Sequence, residues 1–115
     1  MSAHHRELAA GRWQEFSLVE QLANVGSEVE RALSWTAKRN AAFSAKAFDR
    51  ALELLDLTIR DPTHRHRLKE LTRLREVLLD YFLGENEFSS TPSSWHRYFH
   101  PFGVAAALRR HAADH

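Results

Sequence analysis

No cysteine occurs among the 115 residues, which excludes disulfide scaffolds, thiolate metal sites and cysteine nucleophiles. Neither sign of charge is in excess: 16 Lys and Arg face 15 Asp and Glu. That excludes a histone-like polyelectrolyte while leaving room for a local basic patch. No apolar run approaches the roughly eighteen residues of a membrane helix, and the opening MSAHHRELAAGRW has no apolar core of the secretory kind. A cytoplasmic protein without membrane contact is expected. Strand-like alternation, internal repeats and low-complexity tracts are missing too. What is present, 43% hydrophobic and 27% charged residues, is the composition of one soluble globular domain. A loose arm is expected over residues 1–12 and a single helical domain over residues 13–112.

Four helical stretches can be read from periodicity and punctuation. Ser17-Leu18-Val19-Glu20 is a capping-box pattern, so a helix is expected to begin at Leu18, with Phe16 placed to staple the incoming chain. Its seam is Leu18, Leu22, Val25, Val29, Ala32 and Thr36. Gly26 inside it costs roughly 1 kcal/mol relative to Ala. It marks either a close helix approach or ligand notch with Asn24 and Ser27, or a tolerated glycine, or a break recapped at Ser27. Lys38, Arg39 and Asn40 suit a helix C-terminus.

A second helix takes Phe48, Leu52, Leu55 and Ile59 as its seam, widened by Ala51 and Leu54, and Pro62 ends it. Asp61 as N-cap and Pro62 at the first helical position open a third, whose apolar side is Leu68, Leu71, Leu74, Leu78, Tyr81 and Phe82. Gly84 suits its end, and residues 85–94 form a long loop. Thr91-Pro92 repeats the capping device before a seam of Trp95, Phe99, Phe102 and Ala106. Pro101 and Gly103 are expected to kink that last helix or split it near His100. The expected fold is an all-α antiparallel bundle of three to four helices with a proline-kinked last helix.

The densest chemistry is IRDPTHRHRLKE, residues 59–70, which reads chiefly as a turn. From residue 60 to 75 stand Arg60, Arg65, Arg67, Lys69, Arg73 and Arg75 against Asp61 and Glu70. Arg65, Lys69 and Arg73 share one helical face, and cations near a helix N-terminus oppose its dipole. Arg65, Arg67, Lys69 and Arg73 are therefore candidate nucleic-acid contacts. The bland alternative is a solvated face paired with Glu28, Glu30, Asp49 or Glu53. His96 with His100, and His64 with His66, could each offer two metal ligands, but no carboxylate at suitable spacing and no HExxH pattern accompanies them. No metal or other cofactor is expected.

Arg60-Asp-Pro-Thr-His-Arg-His66 resembles the motif of the HEPN family of small helical ribonucleases. The resemblance implies Arg60 at the scissile phosphate and His66 in proton transfer. EQLANVGSEVERA, RALELLDLTI and RLKELTRLREVLLDYFLGENEFSST are similar to a family of small uncharacterised all-helical prokaryotic proteins, across most of residues 12–108. That likeness implies a stand-alone domain and no particular activity. With no GxSxG, no glycine-rich phosphate loop and serines 89, 90, 93 and 94 suited to loop and cap roles, a binding or assembly module is expected rather than an enzyme. The seams and the surplus of aromatic residues are those of a self-associating bundle, so a homo-oligomer or a protein partner is expected, with nucleic acid as the alternative.

Overall fold

The structure is a computed structural model, and it describes residues 12–113. The expected arm therefore lies outside the described residues, apart from Arg12, which opens a 3-10 turn over Arg12–Glu15. Four α-helices follow: α1 (Leu18–Ala37), α2 (Ala41–Arg60), α3 (Leu68–Leu83) and α4 (Pro92–Ala113). No strand occurs among the described residues, and none of their helices is long and apolar enough to cross a membrane.

Local chemistry accounts for most helix ends. At α1 both halves of the capping box form: the Glu20 amide donates to Ser17 Oγ at 3.2 Å, and the Ser17 amide donates to Glu20 Oε1 at 3.1 Å. Those Ser17 donors hold the Glu20 carboxyl below its usual range, helped by Arg109 and Arg110. The end of α4 thus lies beside the start of α1, and the two helices run antiparallel. Arg39 takes a left-handed φ of 60°, turning the chain at once into Asn40, whose side chain caps α2 through the Phe43 amide. Thr91 caps α4, accepting from the Ser94 amide at 3.0 Å, with Pro92 in the first helical position.

Helix α1 is the centre of the bundle, packed against both α2 and α4, while α3 leans on α2. Its Leu22, Val25, Val29 and Ala32 are fully buried, each larger side chain worth roughly 1.5–3 kcal/mol of burial. The expected seam of α2 needs correcting: Leu52 and Ile59 are only half-buried, and Ser44, Ala47, Leu57 and Thr58 join Phe48, Ala51, Leu54 and Leu55 inside. A helix covered from two sides buries a broader stripe than one seam. On the α1 side the stripe is small and polar, since Ser44 Oγ donates to the Ala32 carbonyl at 3.0 Å and meets the Thr36 hydroxyl at 2.7 Å.

One further expectation changes, and of the two outcomes expected at Pro101, a kink or a split, the split drops out. Helix α3 does not start at Pro62: residues Pro62–Arg67 form a 3-10 segment in which His64 leaves helical geometry (φ −103°, ψ 17°), and α3 proper begins at Leu68. Pro101 does not split the last helix, which continues from Pro92 to Ala113. The missing proline N–H leaves the Arg97 carbonyl without its helical donor, a local loss that the flanking turns span.

Candidate functional site

The corner between α2 and α3 is built around Asp61-Pro62. Asp61 Oδ1 accepts from the Thr63 amide at 3.0 Å and from its hydroxyl at 2.8 Å, which tightens the chain into the 3-10 segment. That turn carries His64 inward, and Asp61 and His64 are both buried. Above them sits Gln21 of α1, with no exposed surface. Its Nε2 donates to the carbonyls of Trp13 (2.9 Å) and Phe16 (3.3 Å), and its Oε1 lies 3.1 Å from His64 Nε2. Trp13 Nε1 donates in turn to Thr58 Oγ1 at 3.2 Å, and Thr58 to the Leu54 carbonyl at 3.1 Å.

The Asp61 carboxyl is pushed up by burial and pulled down by the Thr63 amide and hydroxyl, by His64 and by Gln21, so its pKa ends below the usual carboxylate range. Asp61 Oδ2 makes no hydrogen bond and lies 3.4 Å from His64 Nε2. This is a polar brace joining the Trp13 segment, α1, α2 and the turn, in which Asp61 Oδ2 is the one buried acceptor without a hydrogen bond among the described residues. It answers the chemistry of residues 59–70 as a turn. Neither Gln21 nor Thr58 was legible as part of it, because each stands beside an apolar seam with no motif around it.

The residues with the HEPN-like spacing face elsewhere. Arg60 is exposed, and its Nε donates to the Asp56 carbonyl of its own helix at 3.3 Å. His66 is exposed in the 3-10 segment ahead of α3 and makes no hydrogen bond with Arg60. The basic row divides. Arg67 pairs with Glu70 at 2.7 Å, Arg75 bridges to Asp56 of α2 at 2.7 Å, and Arg73 stands 3.7 Å from Glu76 with its guanidinium 4.4 Å from the centre of the Phe88 ring. Asp80 seats Phe88 there by accepting from the Glu87 and Phe88 amides at 2.8 and 3.1 Å.

Arg65 and Lys69 make no ion pair among the described residues. His66, Arg67, Lys69 and Arg73 line an open hollow of about 650 Å³ together with Glu70 and Glu76. Of the acids expected to neutralise the row, Glu28 is taken by Arg31 at 2.8 Å and Glu30 by His96 of α4. Pairs this exposed contribute about 0–1 kcal/mol each, so the row remains a surface whose cations are only loosely held.

The third region lies between α1 and α4. A Cβ on Gly26 would stand 2.8 Å from Cγ and Cδ1 of Phe99 and 2.9 Å from its Cβ. Of the readings open for Gly26, the close helix approach is the one realised. Beside it runs a hollow of about 470 Å³ lined by Ala23, Ser27, Glu30, His96, His100, Gly103, Val104 and Ala107. Gly103 differs from Gly26, since a Cβ there would meet none of the described residues within 4 Å. Val104 and Leu108, next to it, are 44% and 63% exposed. The expected His96 and His100 pair lies in this hollow with Glu30, yet among the described residues no group of three His, Cys, Asp or Glu is placed to hold a metal ion.

The surplus of aromatic residues is mostly absorbed inside the chain. Phe48 stacks on Phe82 at 4.5 Å, Phe82 meets Tyr81, and Tyr81 passes the contact to Trp95, Tyr98, Phe99 and Phe102. Among the described aromatics only Phe43 and Phe88 are exposed, and Phe88 lies against Arg73. No protein-family model, no curated protein and no solved structure matches the chain.

Proposed function

We propose that the protein is a non-enzymatic helical assembly module that self-associates through α4. The observation that carries this reading is the exposure of Val104 and Leu108 beside a glycine that the chain's own packing does not require. A helical glycine costs about 1 kcal/mol relative to Ala. At Gly26 the close approach of Phe99 offsets that cost; at Gly103 only a second helix would. Charge supports a second copy as the occupant. With two α4 helices antiparallel and centred on Gly103, residues 96 and 110 are equally far from the centre, so Arg110 of one copy meets the His96 and Glu30 pair of the other. A two-fold axis satisfies both ends at once. The cytoplasmic setting expected from the absence of cysteine is part of this reading.

Sedimentation across micromolar concentrations tests it. The parent is expected to be at least a dimer, and Val104→Glu and Leu108→Glu are expected to be monomers with unchanged helical circular dichroism. A monomeric parent over that range overturns self-association, and an oligomer indifferent to both substitutions overturns the placement on α4.

A second reading, association with RNA or DNA, is favoured by the unpaired Arg65 and Lys69 beside Arg67 and Arg73. Four phosphate contacts to a single strand imply an affinity about 50-fold weaker at about 200 mM salt than at about 50 mM. No binding at the lower salt removes this reading. Its nuclease form, with Arg60 and His66 in the HEPN-like roles, is removed if His66→Ala leaves RNA cleavage unchanged or the parent cleaves none.

A further inference from the structure

The corner where α1 turns into α2 carries rings and cations with no acid among them. From residue 31 to residue 48 no Asp or Glu occurs, although the chain holds 15. Trp35, on the last turn of α1, stands edge-on to Phe43, on the first turn of α2, with ring centroids 4.8 Å apart. Trp35 is half-buried and Phe43 is 45% exposed. The Lys38 amine lies 5.0 Å from the centre of the Trp35 ring, and the Lys46 amine 5.6 Å from that of Phe43.

Phe43, Lys46 and Arg50 fall on one stripe of α2 and line an open hollow of about 270 Å³ with Trp35. Ser44, Ala45 and Phe48 turn the other way, toward Tyr81 and Leu83 of α3. The patch therefore lies on the side of α2 away from α3. Lys38, Arg39, Lys46 and Arg50 make no ion pair among the described residues, and Glu28, further back on α1, is taken by Arg31 at 2.8 Å.

Charge and shape select the occupant. Four cations without carboxylates call for an anionic surface. The hollow falls below the roughly 300 Å³ at which small-molecule pockets begin. The two rings stand at 78° to each other, each with an ammonium on one face, so they offer no platform for consecutive bases. A bilayer interface takes this arrangement: aromatic rings settle at headgroup level, and lysine stems lie along apolar surface while their amines reach outward.

We propose that the α1–α2 corner docks the protein on an anionic lipid surface, with Phe43 and the edge of Trp35 at headgroup level and Lys38, Arg39, Lys46 and Arg50 against the headgroups. The contact is peripheral, since none of the described helices is long and apolar enough to cross a membrane. It departs from the lack of membrane contact expected from the sequence, because hydropathy along a chain reports spanning segments and misses a corner assembled from two helix ends. The corner is separate from the α4 face around Gly103 and does not depend on self-association.

Vesicles of phosphatidylcholine with about 30% phosphatidylserine are the probe, set against pure phosphatidylcholine and followed with the full chain by cosedimentation and acrylamide quenching of tryptophan. Trp13 and Trp95 are 1% and 4% exposed, so quenching reports Trp35. Binding to the anionic vesicles at about 50 mM salt, with Trp35 shielded, and release at about 1 M salt are expected. Phe43→Ala is expected to weaken binding about tenfold, and Lys38→Gln combined with Lys46→Gln about 30-fold, all at exposed positions and with helical circular dichroism unchanged. Lys69→Gln combined with Arg73→Gln on α3 removes the same charge and is expected to change binding less than about twofold. Equal behaviour toward the two kinds of vesicle overturns the proposal, as does binding that the α3 pair weakens as much as the Lys38 and Lys46 pair. An oligothymidine that shields Trp35 as fully as the vesicles do overturns it in favour of a single-stranded nucleic acid.

Discussion

Gln21→Met is expected to lower the stability of the fold by about 2–4 kcal/mol, the largest effect of any single polar side chain in the bundle. Methionine matches the length of glutamine and removes its hydrogen bonds alone. The Trp13 and Phe16 carbonyls lose the Nε2 donor, and His64 Nε2 loses its acceptor 3.1 Å away. These groups are partly or wholly cut off from water, so the cost is that of buried polar atoms left unpaired. Asn24 lies nearly one turn further along the same helix, exposed and bonded only to the Glu20 carbonyl. Asn24→Ala is accordingly expected to stay within about 0.5 kcal/mol of the parent. Urea unfolding of both variants decides the matter; a Gln21→Met midpoint equal to that of Asn24→Ala would show that the brace contributes nothing net.

Gly26→Ala and Gly103→Ala are expected to change stability in opposite directions, although both exchange a glycine for alanine inside a helix. Alanine gains about 1 kcal/mol of intrinsic helix preference at either site. At Gly26 the new methyl meets Phe99 at 2.8–2.9 Å, and one of those atoms is the Phe99 Cβ, which is fixed to the α4 backbone. The ring cannot swing clear of it, so α4 must shift. Overpacking of this kind costs about 1–3 kcal/mol and disturbs the Trp95 stack on Phe99 as well. A net loss of about 1–2 kcal/mol is expected, lowering Tm by about 5–10 °C. At Gly103 none of the described residues lies within 4 Å, and in the monomeric Leu108→Glu background the gain of up to about 1 kcal/mol should appear whole. Thermal melts of the two variants test this, and equal signs would refute the account of either glycine.

The helix ends were legible because they are local. The Ser17 and Glu20 box, the Thr91 cap and the proline at the start of α4 all act within one turn of themselves, so a linear reading finds them; Asn40, which suited the end of α1, instead caps the start of α2. The α1 and α4 seams were legible for the same reason, with Leu22, Val25, Val29, Trp95 and Phe99 buried as their spacing requires. The candidate sites were less so. Histidines 64 and 66 look interchangeable in the sequence, yet the 3-10 segment rotates the first into the core beneath Gln21 and leaves the second in water. The partners of the basic row also escaped, since pairing followed proximity on α3 and across to Asp56.

Composition, capping and periodicity alone therefore determined an all-α chain, its four helices and the direction of most apolar faces, because each depends on residues within a few positions of one another. The tertiary structure decided the rest: that α1 is flanked on two sides, that Gly26 admits Phe99 while Gly103 meets none of the described residues, and that a gap remains between α3 and α4. Burial and the pairing of polar groups depend on which surfaces arrive from distant parts of the chain, and no spacing along one helix encodes what will lie against it.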